Sequence, residues 1–348
     1  MYALLETKNI RNQKKTLDLL ILAILEKYSD AEHHLSQKQI VDILANEYDT
    51  ECDRRSVKNN IDALRELGFE IWPGPDDEAK KNDGYFLSSR DFEDADLRIL
   101  IDAVLSSKSI SGIKAKEIIE KLKRLGNKYF QPKVSHFVST PLFVRTDNKV
   151  VIYNIDSIND AIDQKKKIVF TYNKYGIDKK LHKKGKRVFN PYQLVASNGF
   201  YYAIGNFDKW DDLAYCRVDK MTDVEILDER VKPMKQVKGL EKGLDLPKHM
   251  AEHIYMLSGE AVNVKFKCKK DVLDSVIDWF GHDIRITEDT DDDAGIIVRV
   301  KCNKDAMCYW ALQYGPYVEV VEPASMRAEL AEITKKMAER YNKNINIF

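Results

Sequence analysis

Net charge is what this sequence lacks first: 56 Lys and Arg are matched by 56 Asp and Glu over 348 residues. Any surface for a polyanion must therefore be built from local concentrations of basic residues. Cysteine is scarce. The five present (Cys52, Cys216, Cys268, Cys302, Cys308) are odd in number and include no Cys-x-x-Cys pair. That spacing excludes a disulfide framework and a zinc module, and fits a reducing cytosol. Also missing are a Gly-rich phosphate loop, His-Glu-x-x-His and Gly-x-Ser-x-Gly. The histidines at 33, 34, 136, 182, 249, 253 and 282 form no constellation; His249 and His253 could pair on a helix, with nothing expected near them. No enzyme, cofactor or metal site is expected. The Asp291-Asp292-Asp293 run lacks the glycine and distal glutamate of a calcium loop and reads as a solvated turn.

No apolar stretch is long enough to span a bilayer. Lys14-Lys15 followed by residues 17–25 (LDLLILAIL) superficially resembles a signal peptide. The run contains Asp18 and leads into Glu26-Lys27-Tyr28 rather than small residues, so a buried first helix in a cytoplasmic protein is expected.

What is present is a composition of 44% hydrophobic and 32% charged residues, that of a globular chain with two or three domains. Residues 15–28 carry apolar positions at helical spacing. Ser36 precedes a second helical run as an N-cap. Asp53 caps a third, in which Val57, Ile61, Leu64 and Leu67 form one stripe before Gly68 ends the helix. Arg54, Arg55, Ser56, Lys58, Asn59 and Asn60 fall on its opposite face and first turn. Arg and Asn have the fork geometry that suits guanine and adenine in the major groove.

Two short apolar strands, 69–72 and 84–87, flank an acidic loop whose Lys80 and Lys81 could reach a phosphate. Helix, helix, capped basic helix and hairpin make a winged helix-turn-helix over residues 1–90. Its balance of 13 Lys and Arg against 17 Asp and Glu counts against strong non-specific DNA affinity.

Residues 91–145 read as a charged helical connector. From about Val150 the period becomes strand-like, with runs at 167–172, 188–196, 200–205, 213–217 and 224–227 and an Asn198-Gly199 hairpin turn. Several short strands with tight turns predict a small barrel. Between Lys165 and Arg187 lie ten basic residues and one acid, Asp178. This stretch is either a solvated lysine-rich loop or a rim for an anionic ligand, including single-stranded nucleic acid stacked on tyrosines. Beyond a linker at 231–258, residues 259–348 read as β-α-β-β-α-β plus a final helix, a ferredoxin-like order.

Phe200-Tyr201-Tyr202-Ala203-Ile204-Gly205, preceded by Arg187-Val188-Phe189-Asn190-Pro191-Tyr192 and followed by Cys216-Arg217-Val218-Asp219-Lys220-Met221, resembles a WYL domain. The stretch from Asp53 to Ile61 is similar to the recognition helix fused to such domains, and the C-terminal region is similar to the family's extension domain. The resemblance implies an Sm/SH3-like barrel at 146–230 that senses a nucleic-acid or nucleotide-like anion, single-stranded DNA or RNA included. Tyr172, Arg187, Tyr192, Tyr202, Arg217 and Lys220 match the family's polar pocket positions. This chain departs by having Ala214 where a further Arg is common, and Lys220 where the last strand carries Arg.

The resulting expectation is an α+β multidomain chain: winged helix-turn-helix, helical connector, small β-barrel and ferredoxin-like domain. Functionally it is a bacterial transcription regulator that binds an operator duplex as a homodimer. Ligand binding at the barrel would shift operator affinity. The alternative is an accessory module that binds single-stranded nucleic acid or an effector protein away from promoters, as in phage defence.

Overall fold

The structure is a computed structural model that describes residues 16–74, 84–130, 145–146, 148–290, 292 and 294–342. Lys80 and Lys81 lie outside the described residues, as do Asp291 and Asp293. The chain divides into two compact units, Met1–Asp147 and Asn148–Phe348. The protein is mixed α and β, with three separate sheets among the described residues. No helix among them is long and apolar enough to cross a membrane.

In the first unit, α1 (Leu17–Tyr28) is buried nearly all round, through Leu17 and every residue from Leu20 to Leu25. The apolar run is therefore the central core helix. α2 (Gln37–Tyr48) begins with a capping box, in which Ser36 and Gln39 satisfy each other's free N–H groups. At the start of α3 (Arg54–Glu66), the Asp53 carboxylate accepts from the Ser56 N–H at 2.7 Å. Val57, Ile61 and Leu64 of α3 are buried against α1 and α2, and Gly68 closes the helix at φ +97°.

β1 (Ile71–Trp72) pairs antiparallel with β2 (Phe86–Leu87). Leu35 and Tyr85 exchange both backbone hydrogen bonds at 2.8 Å, which ties this hairpin to the segment before α2. α4 (Asp94–Ser106) and α5 (Gly112–Lys123) pack around Leu97, Ile101, Ile119 and Phe130.

The second unit opens with α6 (Val151–Gln164), a helix where the sequence pattern suggests strand. Its Val and Ile residues favour strands, but Val151, Ile158 and Ala161 recur at helical spacing and are buried against the following sheet. That sheet comprises β3 (Lys166–Tyr175), β4 (Leu181–Ser197), β5 (Phe200–Asn206), β6 (Leu213–Arg217) and β7 (Met221–Arg230). All neighbours are antiparallel, in the order β6-β5-β4-β3-β7.

This is not the closed barrel expected. Among the described residues the two edge strands form no ladder. A single 3-10 turn, Val218–Lys220, carries the chain from the end of β6, beside Tyr202, to the start of β7, beside Tyr172. The two edges of the sheet therefore meet at this corner through the turn, without pairing. The lysine-rich stretch is also not a loop. β4 begins at Leu181, so only residues 176–180 form a turn.

Gly205 sits where the backbone of β4 approaches most closely: a Cβ there would collide with the Asn190 carbonyl oxygen. Residues 231–258 pack back onto this sheet, through Val237 and Leu240 against Tyr192 and through Met256 against Val195 and Ile204. They include α7 (Leu246–Glu252).

β8 (Ala261–Lys269), α8 (Leu273–Phe280), β9 (Arg285–Glu288), β10 (Gly295–Asn303), α9 (Lys304–Gln313) and β11 (Val318–Glu322) follow, then α10 (Ala324–Asn342). The antiparallel order β11-β8-β10-β9 is the split β-α-β-β-α-β connectivity anticipated for this region. Phe266, Phe280 and Trp310 fill its core.

Candidate functional site

The corner where β6 passes into β7 gathers most of the expected ligand residues. Arg217 ends β6 opposite Tyr202 of β5. Its Nε and Nη2 donate to the Asp219 carboxylate at 3.0 and 2.8 Å, and its guanidinium lies 3.4 Å from the Phe200 ring centroid. Asp219 is buried, so the pair is fixed in a site that water reaches only from the arginine side. Burial works against the arginine's charge, but hydrogen bonding and attraction from Asp219 outweigh it and hold the pKa above the ordinary value. Two donors on the carboxylate leave Nη1 and one Nη2–H for another acceptor.

Tyr172, whose neighbour across β7 is Met221, stands beside this arginine. Burial, then the neighbouring Cys216 and Asp219, pushes its hydroxyl up to about 12. Over its ring, at 4.9 Å, lies the Arg187 guanidinium, which also faces Phe207 at 5.7 Å. Tyr202 is raised by burial, so both phenols stay protonated donors. Lys220 is lowered by burial and then by Arg217's charge. The structure thus brings Tyr172, Arg187, Tyr202, Arg217 and Lys220 together. It sets Tyr192 apart: that ring is buried against Val237 and Leu240, and its hydroxyl donates to the Lys232 carbonyl.

Three asparagines hold the turn that carries these groups. Asn148 Nδ2 donates to the Asp219 and Met221 carbonyls at 3.0 and 2.8 Å, and Asn154 Nδ2 to Met221 at 2.8 Å. Asn173 Nδ2 donates to the Lys220 carbonyl at 3.0 Å. Asn154 and Asn173 are both buried. Sequence reasoning missed all three, as well as Asp219 and Phe200. Asp219 left a signal as an acid two residues after Arg217, and Phe200 as an aromatic opening the strand that resembles the WYL motif.

In the first unit, Arg54, Arg55, Lys58 and Asn59 of α3 face solvent, and Ser56 and Asn60 are half-buried. Asn60 spends its Nδ2 on the Ser56 carbonyl at 2.8 Å. Arg65 is committed elsewhere: it donates to Asp62, to the Ile71 carbonyl and to the Pro73 carbonyl, and so ties the hairpin to the helix.

One environment differs from expectation. His249 on α7 and His253, which caps its C-terminus, stack at 4.1 Å as a pair but are not isolated, because Tyr215 Oη lies 2.8 Å from His249 Nε2. Burial, then His253, drives the His249 pKa down to about 4.

The WYL domain model matches residues 153–226, and the WCX domain model matches residues 260–338. No curated protein matches the chain significantly. Among solved structures, the chain is similar to the proteasome accessory factor B/C (PafBC) of Arthrobacter aurescens, at 15% identity and a TM-score of 0.28. The match covers 94% of this chain and 49% of that one, so the chain spans about half the length of that protein. It is also similar to a CRISPR Cas-related protein, at 14% identity and a TM-score of 0.35, over 99% of this chain and 90% of the other. The chain thus carries a WYL domain around the Arg217 corner and a WCX domain after it.

Proposed function

We propose that the chain is a DNA-binding transcription regulator in which the WYL domain senses an anionic, nucleic-acid or nucleotide-like ligand. The first three helices and hairpin are read as a winged helix-turn-helix, with α3 as recognition helix, and the five-stranded sheet as an opened Sm-like barrel. The observation that carries the DNA reading is α3 itself. A capped helix buries Val57, Ile61 and Leu64 and leaves Arg54, Arg55, Lys58 and Asn59 all in solvent. Those side chains can donate to base edges and phosphates at once. Lys80 and Lys81, which fall between the two strands in the sequence, would contact the phosphate backbone.

The ligand reading is supported by the Arg217 corner. Two guanidiniums lie on aromatic faces, two protonated phenols stand beside them, and Lys220 adds a third cation. Such a set suits a phosphate next to a planar ring. Catalysis has no part in this reading. An operator with two half-sites calls for a homodimer.

The test is fluorescence anisotropy of the full-length protein with its own upstream duplex, with and without a short single-stranded oligonucleotide. Sequence-specific binding that the oligonucleotide changes is the expected result. Absence of specific duplex binding overturns the promoter reading in favour of an accessory module.

A further inference from the structure

Eight of the ten basic residues from Lys165 to Arg187 divide into two groups. Lys166 pairs with Asp228 at 3.0 Å, and Lys167 with Asp208 and Glu229 at 2.8 and 3.0 Å. These are framework ion pairs. Lys174, Lys179, Lys180, Lys184 and Lys186 are exposed and form no ion pair among the described residues, and Lys183 approaches Asp223 only at 3.9 Å. The stretch's single acid, Asp178, is already used. It receives His182 Nε2 at 2.8 Å and the Lys180 N–H at 3.1 Å.

These lysines sit on a protruding ribbon. Pairing of β3 with β7 ends at Tyr172, and pairing of β4 with β5 starts at Asn190. Asn173–Lys183, Lys174–His182 and Tyr175–Leu181 then continue as a two-stranded hairpin without a third strand. Three residue pairs extend it by about 10 Å. At its end Tyr175 is 45% exposed and Ile177 fully so, apolar surface that no part of the unit covers. The base of the ribbon adjoins the Arg217 corner: Asn173 holds the Lys220 carbonyl, and Lys174 is close enough to Lys220 to disfavour its charge.

We propose that this hairpin is a single-strand-binding arm that continues the Arg217 pocket, so that the ligand is an oligonucleotide chain and not a single nucleotide. Phosphates track Lys174, Lys179, Lys180, Lys183 and Lys184, and a base stacks on Tyr175. The inference rests on reading the Arg217 corner as a nucleic-acid pocket. Cations spread over this distance lie beyond the reach of one phosphate group. Their combination with an exposed aromatic ring is the chemistry by which proteins hold single strands without reading sequence. An acidic protein surface would satisfy the lysines but leave Tyr175 and Ile177 without apolar partners.

The experiment titrates the full-length protein with labelled oligothymidylates of three and twelve nucleotides over a range of salt. Wild type is expected to bind the twelve-mer more tightly, with the steeper salt dependence. Changing Lys179, Lys180, Lys183 and Lys184 to Gln is expected to lower twelve-mer affinity. The log–log salt slope should shrink by about 0.7 for each phosphate that is no longer neutralised. Trimer binding should be unaffected. Tyr175→Ala is expected to weaken the twelve-mer roughly ten-fold with the salt slope unchanged. All these positions are exposed, and matching thermal melts verify that the variants fold.

Equal affinity for the two lengths, or a twelve-mer indifferent to the lysine changes, overturns the arm and leaves the pocket standing. Failure of wild type to bind either oligonucleotide overturns the pocket reading and the arm with it.

Discussion

Arg217 and Asp219, two residues apart, form a two-toothed ion pair across the 3-10 turn, with the arginine on the aromatic ring of Phe200. The pair does two jobs. It locks the corner of the sheet, and it leaves the remaining guanidinium donors for another acceptor. Asp219→Ala leaves a half-buried arginine without its acceptor and is expected to destabilise the second unit by about 1–3 kcal/mol. A double-mutant cycle with Arg217→Ala by urea denaturation should give a coupling of about 0.5–3 kcal/mol. Arg217→Lys keeps the charge but not the fork, so oligonucleotide binding should fall more than stability does. Additive single mutants would show that the pair contributes nothing as a unit.

The asparagines behind the turn make a separate prediction. Asn154 is buried and donates to the Met221 carbonyl, which also receives Asn148. Asn154→Ala is expected to cost about 1–3 kcal/mol. It should also weaken ligand binding without touching the ligand, by loosening the turn that carries Arg217 and Lys220. Calorimetric melting and oligonucleotide titration on the same preparation check this. Unchanged ligand affinity in a destabilised variant would limit Asn154 to a structural role.

Periodicity made the core legible and left the polar scaffold hidden. Ser36, Asp53 and Gly68 announce helix ends because each satisfies a backbone need through its own chemistry, and all three act as expected. The Arg217 corner is legible through residue types at family positions. Tyr192 comes along with them, because nothing local in the sequence distinguishes a tyrosine facing Val237 from one facing a ligand. α6 is hidden because its Val and Ile content favours strands, and only its burial against the sheet decides for helix. The hairpin from Leu181 reads as a loop because lysines on an exposed ribbon erase the alternation that marks a strand. Asn154 and Asn173 act on carbonyls 67 and 47 residues away, contacts that no local pattern encodes.

The stacked histidines at the C-terminal end of α7 predict an acid response. Half-buried His249, with its pKa near 4, is neutral in the fold, where its Nε2 lies 2.8 Å from the Tyr215 hydroxyl. His253 is also lowered by burial, with Glu252 and Lys301 as its charged neighbours. In the unfolded chain both take up protons near pH 6.5. The unfolded state then binds more protons, so stability must fall as pH drops. The contribution is fully present above about pH 6.5 and is lost progressively toward pH 4. Urea midpoints at pH 7.5, 6 and 5 should fall in wild type, and less steeply in a His249→Asn, His253→Asn variant. Equal slopes would remove these histidines from the acid response.

Under the proposed DNA-binding function, the two arginines at opposite ends of α3 have separate roles, base contact and support of the hairpin. Arg55 is exposed, whereas Arg65 binds the carbonyls of Ile71 and Pro73 in the hairpin. Arg55→Ala should leave the melting temperature within the small range of ordinary surface changes. If Arg55 reads a base, its removal costs operator affinity about 1–3 kcal/mol and relaxes preference at one position only. Arg65→Ala should do the reverse. It frees the hairpin, lowers stability by about 1–3 kcal/mol, and weakens all duplexes alike. Anisotropy titrations against the operator and a scrambled duplex of equal length distinguish the two. Loss of discrimination in Arg65→Ala with none in Arg55→Ala would assign base reading to the hairpin and not to α3.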